Sequence, residues 1–156
     1  MSEKKILFLG IGNKLKGDDG FGIILVEKLE DFKNDDLFFL KCHEVPENYL
    51  GKILELGPAV IVFLDTIYKQ DLPPGAILLL EEFNPSFSIS THAGSLKTII
   101  DFLNLQGLKF KPYLLGVIPK QVDMKEKISP EVERAIDEIC ENFQNYLDKF
   151  YLGLHI

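Results

Sequence analysis

Gly10-Ile11-Gly12-Asn13-Lys14-Leu15-Lys16-Gly17-Asp18-Asp19-Gly20 decides how this chain is read. It follows the apolar run Lys5 to Gly10, which predicts a strand buried on both faces. It precedes Phe21, Ile24, Leu25, Leu29 and Phe32, whose spacing predicts an amphipathic helix to about Asp31. Asp18 or Asp19 is expected to cap that helix. A strand, a glycine-rich turn and a helix near the start of a chain usually suggest a phosphate site. Here the turn carries two carboxylates where a phosphate site needs neutral or basic groups.

The nucleotide reading fails on further grounds. A dinucleotide fingerprint needs G-x-G-x-x-G, and the third glycine position is occupied by Leu15. The phosphate-loop pattern G-x-x-x-x-G-K-[ST] is absent. A nucleotide- or small-ligand-binding α/β domain therefore stands only as the alternative. The 156 residues carry a formal net charge of −7, which argues against non-specific nucleic-acid binding. The start of the chain lacks the apolar stretch and cleavage site of a signal peptide, and no run of 18 apolar residues occurs. A cytoplasmic protein with no membrane segment is expected, with Cys42 and Cys140 as reduced thiols.

Working outward, strands are expected at Leu37–Cys42, Ala59–Asp65, Ala76–Glu81 and Tyr113–Ile118, and short helices at about 47–56 and 94–105. Ser129-Pro130-Glu131 starts a last helix expected to run unbroken to about Lys149. The β-α-β-α-β order implies a doubly wound parallel sheet. The Thr66–Gly75 connection is too short for a crossover helix, so the Ala76–Glu81 strand should be antiparallel or at an edge. The expected architecture is a three-layer α-β-α sandwich around a mostly parallel five-stranded sheet, in one domain.

In such a sheet ligands bind beyond the carboxyl ends of the strands. Asp19 lies in the loop after the first strand, and Asp65 ends the third. His92, in the irregular segment Glu82–Ala93, is placed to face the same edge. Two carboxylates and an imidazole form a three-ligand set for a divalent transition metal with open positions. Each has a plainer use, as a helix cap, a strand end or a surface loop residue. His43 and Glu44, after the second strand, are secondary candidates.

Gly10-Ile11-Gly12-Asn13, Gly17-Asp18-Asp19-Gly20, a strand ending in Asp65 and Thr91-His92 before a helix together resemble the nickel–iron hydrogenase maturation endopeptidases, of HycI and HybD type. The Gly-Asp-Asp-Gly loop and Pro46-Glu47-Asn48 are most similar to the HycI-like branch. The resemblance spans nearly the whole chain and implies one maturation-protease domain over residues 1–156. It implies removal of a C-terminal extension from a hydrogenase large-subunit precursor, with nickel already inserted in that precursor serving as the recognition element. Asp19, Asp65 and His92 match the family's catalytic and nickel-recognising residues, with Asp18 as a helper or cap. The family is grouped with proteases that lack a serine or cysteine nucleophile, and a monomer is expected. A non-catalytic accessory protein of nickel maturation is the other alternative.

Overall fold

The run Ile6–Ile11 is buried at every position, and its side chains alternate between two apolar clusters. That alternation requires helices on both faces of the sheet. The structure, a computed structural model, describes residues 4–81, 93–124 and 127–154, with 93–95 described by backbone only.

The strands are β1 (Ile6–Ile11), β2 (Leu37–His43), β3 (Val60–Thr66), β4 (Ile77–Leu80) and β5 (Lys111–Val117). They form one sheet in the order β2-β1-β3-β5-β4. Every pairing is parallel except β4 with β5, which is antiparallel and places β4 at the edge. The short connection after β3 therefore has the consequence expected of it. A strand cannot return to a parallel register without a crossover long enough to span the sheet.

The helices are α1 (Phe21–Leu29), α2 (Leu50–Leu56), α3 (Ala93–Leu105), α4 (Pro130–Glu141) and α5 (Phe143–Gly153). Phe21, Leu25 and Leu29 of α1 share a cluster with Val132 and Ile136 of α4, Phe150 of α5, and Ile6, Phe8 and Val62 of the sheet. Ile53 of α2 and Leu96, Ile99 and Leu103 of α3 cover Leu7, Leu9, Ile61 and Phe63 on the other face. The result is a three-layer α-β-α sandwich. No helix among the described residues is long and apolar enough to cross a membrane.

Two local expectations are corrected. The helix after Ser129 is not continuous. Asn142 leaves helical geometry at φ −105° and ψ 17°, and its side-chain amide donates to the Glu138 carbonyl at 2.8 Å. Asparagine competes with the backbone for helical hydrogen bonds, so an unbroken apolar stripe does not guarantee an unbroken helix. At the other end of the chain, neither Asp18 nor Asp19 caps α1. Both lie in a 3₁₀ turn, Gly17–Gly20, and α1 begins at Phe21 without a side-chain cap.

Candidate active site

β1 and β3 are neighbours, but the chain leaves their carboxyl ends in different directions. From β1 it enters α1 and returns to β2, whereas from β3 it crosses to β4 beyond β5. Such a switch in direction opens a crevice at the strand ends. Gly22 brings α1 down against this point. A Cβ there would lie 2.2 Å from the Leu64 carbonyl oxygen and 2.5 Å from that of Ile11, so no larger residue fits. The close helix–strand contact that a third fingerprint glycine would give at Leu15 is instead supplied at Gly22, inside the helix.

The loop between β1 and α1 is built to deliver one carboxylate. Gly12 takes φ +137°, and a Cβ on it would collide with the Asp19 carbonyl, so glycine is needed there on both counts. The Gly12 amide donates to the His43 carbonyl at 2.9 Å. Asn13 Oδ1 accepts from the Leu15 amide at 2.9 Å, which closes a tight Asx turn. The Asn13 amide in turn donates to Asp19 Oδ2 at 2.9 Å and to the Asp19 carbonyl at 3.1 Å. Asp19 is thus held over the end of β1 and is only 6% exposed.

Asp65 reaches the same edge from β3. Its neighbour Leu64 pairs in register with Gly10, and Asp65 itself pairs with Gly116 of β5. It is fully buried, and its Oδ1 accepts from the Thr66 amide at 2.8 Å. The two aspartates singled out in the sequence therefore stand at the ends of adjacent strands. His92 lies outside the described residues. Among those described, no three His, Cys, Asp or Glu side chains form a group able to hold a metal ion.

Asp18 does not cap α1 but fastens two loops. It is fully buried. Its carboxylate accepts from the amides of Ser129 (2.7 Å), Lys120 (2.8 Å) and Gln121 (3.0 Å) and from the Ser129 hydroxyl (2.9 Å). The Asp18 amide donates back to the Gln121 carbonyl at 2.8 Å. Ser129 is the N-cap of α4, its Oγ accepting from the Val132 amide, so one hydroxyl serves both the cap and Asp18. Asp18 joins the loop after β1 to the loop after β5.

Tyr68, which the sequence pattern did not single out, also belongs to this region. Burial and the negative charge of Asp19 push its phenol above the ordinary value, with smaller contributions in the same direction from Asp65 and Asp18. The phenol therefore lies within electrostatic reach of all three carboxylates and stays protonated as a hydrogen-bond donor. The Thr66 hydroxyl lies near enough to favour the ionised phenol, but it is buried and has no hydrogen bond of good geometry among the described residues. The only hint in the sequence was an aromatic residue three places after Asp65 in a polar loop.

Burial holds both thiols in the neutral form. Cys42 is buried near the end of β2, and burial pushes its thiol up to about 12. Burial also raises that of Cys140, on the outer helix α4. His43 is exposed and takes φ 56°, a left-handed conformation uncommon outside glycine, at an irregularity in the β1–β2 pairing. It contributes its backbone carbonyl to the loop. Glu44 forms an ion pair with Lys16 at 3.0 Å.

Comparison with known proteins gives a consistent result. A family model described as hydrogenase maturation protease, HycI, matches residues 23–145. The hydrogenase 2 maturation protease of Escherichia coli strain K12 is 30% identical over 144 residues, covering 88% of this chain and 87% of its own. The crystal structure of the nickel–iron hydrogenase maturation protease HycI from Thermococcus kodakarensis KOD1 superposes with a TM-score of 0.78 at 26% identity, over 93% of each chain. The hydrogenase maturating endopeptidase HybD from Escherichia coli gives 0.80 at 28% identity, again over 93% of each. With most of its length matched by the family model and its fold shared with HycI and HybD, the chain belongs to the hydrogenase maturation protease family.

Proposed function

We propose that this protein is an endopeptidase that removes the C-terminal extension from a nickel–iron hydrogenase large-subunit precursor after nickel insertion. The nickel ion arrives as part of the substrate, and Asp19, Asp65 and His92 meet it at the carboxyl edge of the sheet. One aspartate carboxylate acts as general base toward the water that attacks the scissile carbonyl, a proton transfer of the kind that positioned carboxylates perform. The substrate-borne ion polarises that carbonyl. The reaction is of aspartic type in the sense that it uses no serine or cysteine nucleophile, and the enzyme works in the cytoplasm as a monomer.

The observation that carries this reading is the placement of Asp19 and Asp65, both buried, at the ends of neighbouring strands in a chain of this family. A buried carboxylate is costly to maintain, and functional sites are where such costs are found. The test is a processing assay on purified nickel-loaded precursor, read as a mass loss. Wild type should cleave only the nickel-loaded form, while Asp19→Asn, Asp65→Asn and His92→Ala should leave it uncut. Normal cleavage by all three variants would sink the site assignment, and equal cleavage of nickel-free precursor would sink the recognition role.

A further inference from the structure

The large exposed hydrophobic side chains among the described residues are Leu15, Phe32, Val45, Leu105, Val122, Met124 and Leu152. Four of these, Leu15, Val45, Val122 and Met124, stand on the loops that leave the carboxyl ends of β1, β2 and β5. Single exposed apolar residues need no explanation, but a group of them around one crevice does.

The three loops are fastened to one another beside these four residues. Lys16, next to Leu15, forms its ion pair with Glu44, next to Val45. Asp18 bonds the backbone of Lys120 and Gln121, just before Val122. A Cβ on Gly17 would lie 3.0 Å from the Gln121 carbonyl oxygen and 3.5 Å from that of Asp123, so the first loop runs close along the third. Three lysines of this rim are compensated by carboxylates, while Asp123, between Val122 and Met124, stays exposed. Lys14, Lys16 and Lys120 lie 3.1, 3.0 and 2.9 Å from carboxylate oxygens of Glu27, Glu44 and Glu131. Beside these ion pairs the rim offers a partner four apolar side chains around a buried acidic centre.

We infer that Leu15, Val45, Val122 and Met124 form the docking surface for the precursor, holding an apolar segment of the substrate protein beside its scissile bond. This rests on the proposed function, because only a protein substrate presents such a segment at Asp19. Aliphatic side chains and a flexible thioether suit an apolar chain of irregular shape. A second copy of this protein on the same rim would block the crevice that the substrate must enter. The rim therefore sets affinity and leaves the chemistry to the aspartates.

The test uses the full chain and nickel-loaded precursor in steady-state processing. Leu15→Ser, Val45→Ser and the pair Val122→Ser with Met124→Ser should each raise KM roughly three- to tenfold with kcat unchanged, as expected for apolar contacts in an interface. Val45→Leu should keep KM near wild type. Leu105→Ser and Leu152→Ser, near the opposite edge of the sheet, should change neither constant. The substituted side chains are exposed, so circular dichroism and Tm should match wild type. If wild type does not process the precursor, the proposed function fails and takes the rim with it. If wild type processes it and the rim variants keep their KM, the rim alone is wrong. A fall in kcat at constant KM, or loss of a self-association without any change in KM, would likewise overturn the docking role.

Discussion

Asp18 and the pair Asp19–Asp65 are both buried negative groups at one end of the sheet, yet they are held in opposite ways. Asp18 is surrounded by donors from a distant loop, three amides and a hydroxyl, all within 3.0 Å. Its carboxylate is occupied with holding two loops together. Asp19 and Asp65 are placed by their own neighbourhoods, through the Asn13 and Thr66 amides, and of the three carboxylates Asp19 bears most strongly on Tyr68. On the proposed function, the Asp18 region serves stability and the Asp19–Asp65 region serves chemistry. Adjacent residues of one type can thus serve different ends, according to where their acceptors point.

The sharpest way to break this comparison is to neutralise each side without changing its size. Asp19→Asn and Asp65→Asn should each cut kcat/KM for precursor processing by about 10²- to 10⁴-fold, the usual contribution of a positioned acid–base group. Their Tm should fall less than that of Asp18→Asn, because an amide oxygen can still accept from the Asn13 or Thr66 amide. Large Tm losses in both variants, measured by calorimetry, would move these residues to the structural side.

Asp18→Asn should show the reverse weighting. One end of the new amide would direct N–H groups at the amide donors that the carboxylate now accepts from. Each buried group left unsatisfied costs about 1–3 kcal/mol. For a chain of this length, each kcal/mol lost lowers Tm by about 2–4 °C. The processing loss should be smaller than that of Asp19→Asn and should fall mainly on KM, because the loop carrying Val122 and Met124 loses its anchor. An Asp18→Asn protein of wild-type Tm but no activity would place Asp18 among the reacting groups.

Much of the scaffold was legible in the sequence, because the runs that become β1 and β3 are almost wholly apolar and end at a glycine-rich turn and at an acid. The antiparallel edge strand followed from chain length alone, since ten residues after Asp65 cannot cross the sheet and return. The positions of Asp19 and Asp65 followed from the rule that loops at the carboxyl ends of strands gather in one place. Asp18 was not legible in this way. Its partner Ser129 is 111 residues away, and no periodicity reports a contact across that separation. The break at Asn142 was hidden because the apolar stripe continues across it into Phe143 and Leu147. Tyr68 went unnoticed because a phenol in a polar loop carries no spacing signal. His92 falls outside the described residues, so its proposed role is left to the His92→Ala assay.

The smallest expected effect comes from a carboxylate that belongs to neither class. Glu27 on α1 is ion-paired to Lys14 at 3.1 Å and to Lys41 at 3.4 Å, with about a third of each side chain or more in solvent. Burial works to raise its pKa, but the two ammonium groups outweigh this and hold the carboxyl below its ordinary value. A carboxylate lowered in the folded state contributes stability above its unfolded pKa and loses it as pH falls through the folded one. Solvent screening limits such a pair to about 0.2–1 kcal/mol. Urea unfolding of Glu27→Gln should therefore show a deficit of that order at pH 7. The deficit should shrink in high salt and disappear below the folded pKa of Glu27, where wild type is itself neutral at this position. A deficit that persists unchanged in acid would mean that Glu27 acts through packing. Lys14 would then owe its position to the Asn13 turn rather than to charge, and the rim around Asp19 would keep its shape without its ion pairs.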